Sequence, residues 1–268
     1  DYQDDVLYVP YVKKDTTVTP PTWTDGGVGR LSTKENLSPS NWEWSTVVDG
    51  IGPVTSAVSK LVSRSTQKLW LFFGTGRYFY EKTNDTDDGA SPRSIYGVKD
   101  PCYDLDGFDP GCTDDVDDGA LDNVTNIANV PTNSNDIDFG WEIELDRDEV
   151  PDVTFRAERV ITDPLAATTG VVFFTTYKPY RDQCALGGKT YIWAVKYNTG
   201  GAAGTLLQGK ALVQVSTGSI EQINLADAFT DAGGRKTAGM EGVPPTMQGL
   251  SVMSQPRPVK KVLHRRER

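Results

Sequence analysis

Two short runs constrain this chain more than any other feature: Trp70-Leu-Phe-Phe73 and Val171-Val-Phe-Phe174. Both are unbroken apolar stretches rich in aromatic and β-branched residues. A strand sends successive side chains to opposite faces, so a strand that is apolar throughout must be covered on both sides. Sheets must therefore stack on sheets. The remaining pattern agrees. Strand character recurs at Val6–Val12, Trp42–Val48, Leu69–Phe73, Trp141–Leu145, Val171–Tyr177, Tyr191–Tyr197 and Ala211–Ser216, each run bounded by Gly, Pro, Asn or Asp. Helical periodicity is nearly absent, and its longest candidate is Ile223–Phe229. The expected fold class is all-β.

The strands also echo one another. Val54-Thr-Ser-Ala57 precedes Leu69–Thr75 and then Ser94–Lys99, while Ile161-Thr-Asp-Pro164 precedes Val171–Thr176 and then Tyr191–Lys196. A weaker third start lies at Val243-Pro-Pro-Thr246, followed by Leu250–Met253. Short strands repeating in this order point to the blades of a β-propeller. A β-sandwich is the alternative. About four blades are expected across residues 1–268, with an acidic loop insertion at 81–140 and a basic tail at 257–268. Residues 230–249, rich in Gly and Ala, read as a second loop. The start at Asp1 lacks an initiator Met and a signal segment, so the chain is read as the later part of a longer protein.

Charge is unevenly spread. The formal net charge is −10, yet residues 81–150 hold 20 acidic and four basic side chains, against 17 acidic and 23 basic elsewhere. A mildly basic β-domain carrying one acidic insertion is not a phosphate-tracking surface, and no nucleic-acid motif accompanies it. No stretch has the ~18 apolar residues of a membrane helix. The single histidine, His264, leaves no conventional Ser-His-Asp triad and no His-based zinc motif.

The segment 100–122 contains nine Asp and no Lys or Arg. Hard cations are held by convergent carboxylate and carbonyl oxygens. Asp104 and Asp106 before Gly107, and Asp114, Asp115, Asp117 and Asp118 before Gly119, resemble fragments of calcium loops without the distal Glu. Calcium or an ordinary solvated acidic loop are the two readings. Cys102 and Cys112 flank part of this segment, and a bridge between them suits an oxidising compartment. That local disulfide is favoured, with Cys184 paired to either of the two as the competing arrangement.

Several blocks together carry a family resemblance: Phe72-Phe-Gly-Thr-Gly-Arg-Tyr78, Ser94-Ile-Tyr-Gly-Val-Lys-Asp100, Glu158-Arg-Val-Ile-Thr-Asp-Pro164, and Phe173-Phe-Thr-Thr-Tyr-Lys-Pro179 running on to Asp182-Gln-Cys-Ala-Leu-Gly-Gly188 and Tyr191-Ile-Trp-Ala-Val195. In this order they resemble the C-terminal β-propeller of the PilY/PilC family, the tip-associated adhesins and assembly factors of bacterial type IV pili. Read physically, Gly74 and Gly76 permit positive φ or close backbone approach. Arg77 and Tyr78 are placed for a cation–π contact across a blade edge.

The resemblance implies a non-enzymatic protein of the bacterial cell surface and pilus tip, exported through the periplasm. Its implied partners are pilin subunits and minor pilins, with the missing N-terminal region or a second chain completing the propeller. It implies control of pilus assembly and retraction, with calcium as a modulator in some members. By alignment with the family's calcium loop, Asp1 and Asp5 fall on ligand positions, although Tyr2 stands where that loop usually has Gly. Two other classes compete. A quinoprotein-like propeller enzyme would show recurring Trp motifs, whereas Trp23, Trp42, Trp44, Trp70, Trp141 and Trp193 have no fixed spacing. A cell-surface structural protein unrelated to pili is the third class.

Overall fold

Alternation along the apolar strands sorts the chain into sheets stacked in series. The computed structural model describes residues 6–19, 21–78, 92–146, 153–182, 187–215, 220–242 and 245–253. Among these the architecture is all-β, with single 3-10 turns as its helical elements. The first sheet joins β1 (Val6–Asp15), β2 (Thr22–Ser32) and β3 (Glu43–Asp49) as an antiparallel meander. The second contains β4 (Ser59–Val62), β5 (Leu69–Gly74) and β6 (Ser94–Lys99). A separate hairpin of β7 (Tyr103–Asp104) and β8 (Gly107–Phe108) follows. Then β9 (Asp122–Asn123) and β10 (Gly140–Glu144) complete the second sheet in the order β4-β5-β6-β10-β9.

The third sheet starts with β11 (Arg159–Val160) and β12 (Leu165–Ala166), both of which pair with β13 (Val171–Pro179), itself paired with β14 (Gly188–Lys196). The chain leaves it through β15 (Lys210–Val215) and β16 (Ile220–Asn224). It returns to it in β17 (Phe229–Asp231), β18 (Lys236–Thr237) and β19 (Met240–Gly242). Last, β20 (Pro245–Met253) pairs with β15 in a fourth, three-stranded sheet.

The sequence echo falls on the centre of the second and third sheets. β5 pairs with β6 from Trp70 opposite Lys99 to Gly74 opposite Ile95. β13 pairs with β14 from Val171 opposite Lys196 to Pro179 opposite Gly188. Their unbroken apolar runs divide by parity, as two-sided burial requires. Leu69, Leu71 and Phe73 join Val28, Val47 and Val48 in a core between the first and second sheets. Trp70 and Phe72 turn the other way and meet Trp141, Phe174 and Trp193 between the second and third. Val171, Phe173, Ile192 and Ala194 face Ala211 and Leu225 between the third and fourth. Each fully buried side chain of this kind stabilises the fold by about 1.5–3 kcal/mol.

Glycines set how closely the sheets approach. A Cβ on Gly74 would lie 2.3 Å from the Val160 side chain, and one on Gly76, at φ +148°, would lie 2.6 Å from Cβ of Arg159. The Val160 amide donates to the Thr75 carbonyl at 2.9 Å. The Phe-Gly-Thr-Gly block is thus the seam where β11 crosses the end of β5. Beyond it, the Tyr78 ring lies 6.1 Å from that of Tyr177, and Arg159 donates to the Arg77 carbonyl at 3.3 Å.

Three sequence expectations need correction. Ile223–Phe229 is not helical: it is the end of β16, a turn and the start of β17. Asn224 is the breaker, because its side chain bonds Asp227 at 2.8 Å and takes up the turn locally. Residues 230–242 are not a loop, since they hold β17, β18 and β19 with Arg235, Lys236 and Thr237 buried. The acidic stretch is not structureless either. Within it β6 is a core strand, and residues 100–139 run as a strap of 3-10 turns and short strands. The strap is ordered because Cys102, Val116, Leu121, Val124 and Ile137 are buried beneath it.

Candidate functional site

The C-terminal ends of β10 and β13, the start of β11, and β18 bring four charged side chains together. Glu158, just before β11, is wholly buried. Its carboxylate accepts hydrogen bonds from the Thr176 hydroxyl on β13, from the Trp193 indole on β14 at 3.1 Å and from the Lys236 ammonium on β18 at 2.7 Å. Fully desolvated carboxylates persist when they are paired and bonded in this way.

Beside it stands a second pair. Asp146 follows β10 with φ +62°, a left-handed conformation that Asp adopts more readily than most residues. It accepts from the Lys178 ammonium at 2.7 Å and from the backbone amide of Glu158. The side chains of Lys178 and Asp146 are 5% and 19% exposed. Burial, then the neighbouring Glu158 charge, push the Asp146 carboxyl up to about 6 against the pull of Lys178.

A cavity of about 600 Å³ opens over these pairs between the second and third sheets. Glu144 and Asp146 line it from β10 and its end. Lys189, Tyr191, Trp193 and Lys236 line it from β14 and β18. The Lys236 ammonium lies 4.0 Å from the centre of the Tyr191 ring and 5.4 Å from that of Trp193. Its attraction to the ring faces adds to its pairing with Glu158. Arg235, also on the wall, staples the sheets. It donates to the carbonyls of Val124 and Thr125 at 2.8 and 2.6 Å, and to that of Ala232 at 2.8 Å. Burial pulls its guanidinium down to about 10.

A third buried charge pair lies in the seam between the first and second sheets. Asp100, at the end of β6, accepts from Nη2 of Arg30 at 2.6 Å, from its Nε at 3.1 Å, and from the Tyr8 hydroxyl. The Cys102 amide donates to the same carboxylate at 2.9 Å.

The Asp residues singled out from sequence lie elsewhere. Asp104, Asp106, Asp114, Asp115, Asp117 and Asp118 are exposed along the strap. Asp104 accepts from the Asp106 amide at 2.9 Å, and Asp117 and Asp118 each accept from the Gly119 amide at 2.9 Å. These are local turn and cap bonds. Among the described residues no three His, Cys, Asp or Glu side chains gather so that they could hold a metal ion. The strap carboxylates as placed do not fit a calcium site, which needs six or more convergent oxygens. Asp1, Asp5 and Cys184 lie outside the described residues. Cys102 and Cys112 form a disulfide, with Cα atoms 5.5 Å apart.

Sequence reasoning passed over Arg30, Asp146, Arg235 and Lys236. It quoted Asp100, Glu158 and Lys178 only inside larger blocks. The available signal was a charged residue closing an apolar strand, as in Val98-Lys-Asp100 and Thr176-Tyr-Lys178.

Over 208 residues the chain is 26% identical to a type IV pilus biogenesis factor PilY1 homolog of Xylella fastidiosa (strain Temecula1). The match takes in 65% of this chain and 16% of the relative. The chain is PilY1-like. The match spans about one-sixth of that curated relative's length, so the resemblance concerns a part of the larger protein. A search of solved structures found the Pseudomonas aeruginosa PilY1 C-terminal domain, at a TM-score of 0.48 and 16% identity over 82% of this chain and 51% of that one. No family model matches.

Proposed function

We propose that this PilY1-like chain is a non-enzymatic type IV pilus factor, acting outside the cell at the pilus tip in pilus assembly and retraction. The observation that carries the reading is the similarity over 208 residues to a PilY1 homolog, joined to the ordered sequence blocks that the sheets now explain. The serial stack of mainly antiparallel sheets, with a core between each successive pair, suits a propeller whose rigid blades present loops to pilins and minor pilins. Buried ion pairs at two of the seams favour a platform that holds its shape. Further blades would come from another region of the same protein or from a second chain.

The test is to delete this region in a piliated bacterium and measure surface pili and twitching, together with co-purification of the chain with pilin filaments. Loss of piliation or retraction control is expected. Normal pili, with no pilin captured, would favour a surface protein unrelated to pili. Quinone absorbance in the purified protein would favour the propeller-enzyme reading. Calcium is proposed at Asp1 and Asp5, where a melting temperature that ignores calcium and chelator alike would remove it.

A further inference from the structure

Lys178 and Asp146 are arranged for more than an ion pair. Their nitrogen and oxygen are 2.7 Å apart and nearly out of water. They come from different sheets and lie 32 positions apart in sequence. A nitrogen bonded to one carboxyl oxygen is held beside the carboxyl carbon, and a turn of the carboxyl group about its own bond is what would bring the reacting atoms to the about 3–3.5 Å, aligned approach that attack requires. The second oxygen of Asp146 receives the Glu158 backbone N–H, a donor aimed where negative charge would develop on attack. The buried Glu158 carboxylate accepts from Thr176, two residues before Lys178 on the same face of β13, and its charge bears on Asp146.

We propose that Lys178 and Asp146 condense to an intramolecular amide that joins the third sheet to the second. The ammonium passes one proton to the Asp146 oxygen it is bonded to, and the neutral amine forms a bond to Cγ of the resulting carboxylic acid. One C–O bond then breaks, and its oxygen leaves with two hydrogens as water. Lys-NH3⁺ and Asp-COO⁻ become one amide and one water, with no change in oxidation state and no co-reactant. Glu158, whose charge bears on Asp146, is assigned the relay of the second proton: it takes it from nitrogen on a small side-chain shift, returns it to the departing oxygen, and ends unchanged. Burial favours the outcome: it makes two charges costly to hold largely out of water, a cost the neutral amide removes. Burial and the neighbouring Glu158 charge raise the affinity of Asp146 for the proton the ammonium gives up. Lys236 stays paired to Glu158 and is the neighbour against which the choice of Lys178 is tested.

The experiment is intact-mass measurement of the purified, natively folded chain after the disulfide is reduced, followed by proteolysis and fragment mapping. The expected result is a chain lighter than its sequence by one water, with a branched peptide joining Lys178 to Asp146. Lys178→Arg and Asp146→Ala should restore the full mass. Asp146→Asn should form the same branch with loss of ammonia instead, and Glu158→Gln should slow the reaction at least tenfold. A wild-type chain at full sequence mass overturns the proposal. So does a water loss without a branched peptide, or a branch mapped to Lys236 and Glu158. Because the wild-type mass decides, a variant that fails to fold does not blunt the test.

Discussion

Arg30 and Asp100 lie 70 positions apart in sequence, yet their side chains meet at 2.6 Å with neither exposed to solvent. Arg30 belongs to β2 and Asp100 ends β6, so the pair latches the first sheet to the second. Tyr8 of β1 adds its hydroxyl to the same carboxylate. Removing one member of a buried pair strands the other charge, at a cost of about 3–5 kcal/mol. Asp100→Ala should therefore lower stability by that amount in denaturant melts. Tyr8→Phe, which removes one bond to a charged acceptor, should cost about 1.5–3 kcal/mol. Replacing Arg30 and Asp100 together by Met and Leu should recover much of the loss. An Asp100→Ala chain as stable as wild type would show that the latch carries no energy.

The disulfide sits next to that latch. Asp100 accepts from the Cys102 amide, and Arg30 also reaches the Asp114 carbonyl at 3.2 Å, just past Cys112. Closing a loop of this size stabilises a fold by about 2–3 kcal/mol. Reduction, or a Cys102→Ser and Cys112→Ser double change, should lower stability by that much. It should also speed amide exchange at residues 102–116 ahead of the second-sheet strands. Equal protection with and without reductant would detach the strap from the latch.

The strands were legible because their signal is local. A parity pattern in Trp70-Leu-Phe-Phe73 tells of two covered faces wherever the strand is placed, and the repeated order of strands marked the paired centres of two sheets. The charged residues were not legible for the opposite reason. Glu158 is buried by Thr176, Trp193 and Lys236, which reach it from three other strands, and no spacing in the chain announces that meeting. The Asp run at 104–118 was legible as a dense acidic segment but not in its geometry. Asp104, Asp117 and Asp118 accept from turn amides one or two residues away. The Ile223–Phe229 helix failed because β16 gains its bonds from β15, a partner that local propensity does not see.

Gly74 offers a test of the seam between β5 and β11. A methyl group there would enter the Val160 side chain at 2.3 Å. Overpacking of this kind costs about 1–3 kcal/mol, so Gly74→Ala should destabilise by that range. Gly111→Ala, whose Cβ would meet only the Asp109 carboxylate at 3.4 Å, should stay within about 0.5 kcal/mol of wild type. Paired melts decide it, and equal effects at the two positions would refute the close approach. Gly74→Ala with Val160→Ala should restore part of the loss.

Acid should loosen the open end of the first sheet. Asp49 on β3 accepts from the Tyr11 hydroxyl at 2.8 Å and from the Lys13 ammonium, both on β1. Burial alone would raise its pKa, but the bonds from Lys13 and Tyr11 outweigh it and hold the carboxyl below the usual Asp range. A depressed folded-state pKa means the unfolded chain takes up its proton first as pH falls. The contribution is therefore present above about pH 4, the ordinary Asp value, and is lost as pH drops through the lower folded value. NMR titration should show Asp49 protonating at lower pH than an ordinary exposed Asp. Asp49→Asn should remove its share of the acid slope in melts between about pH 2 and pH 5. Because Asp49 is 40% exposed, the effect should be small and should shrink with added salt. An Asp49 that titrates at or above the ordinary Asp value would show that the link to Lys13 and Tyr11 is not made in solution.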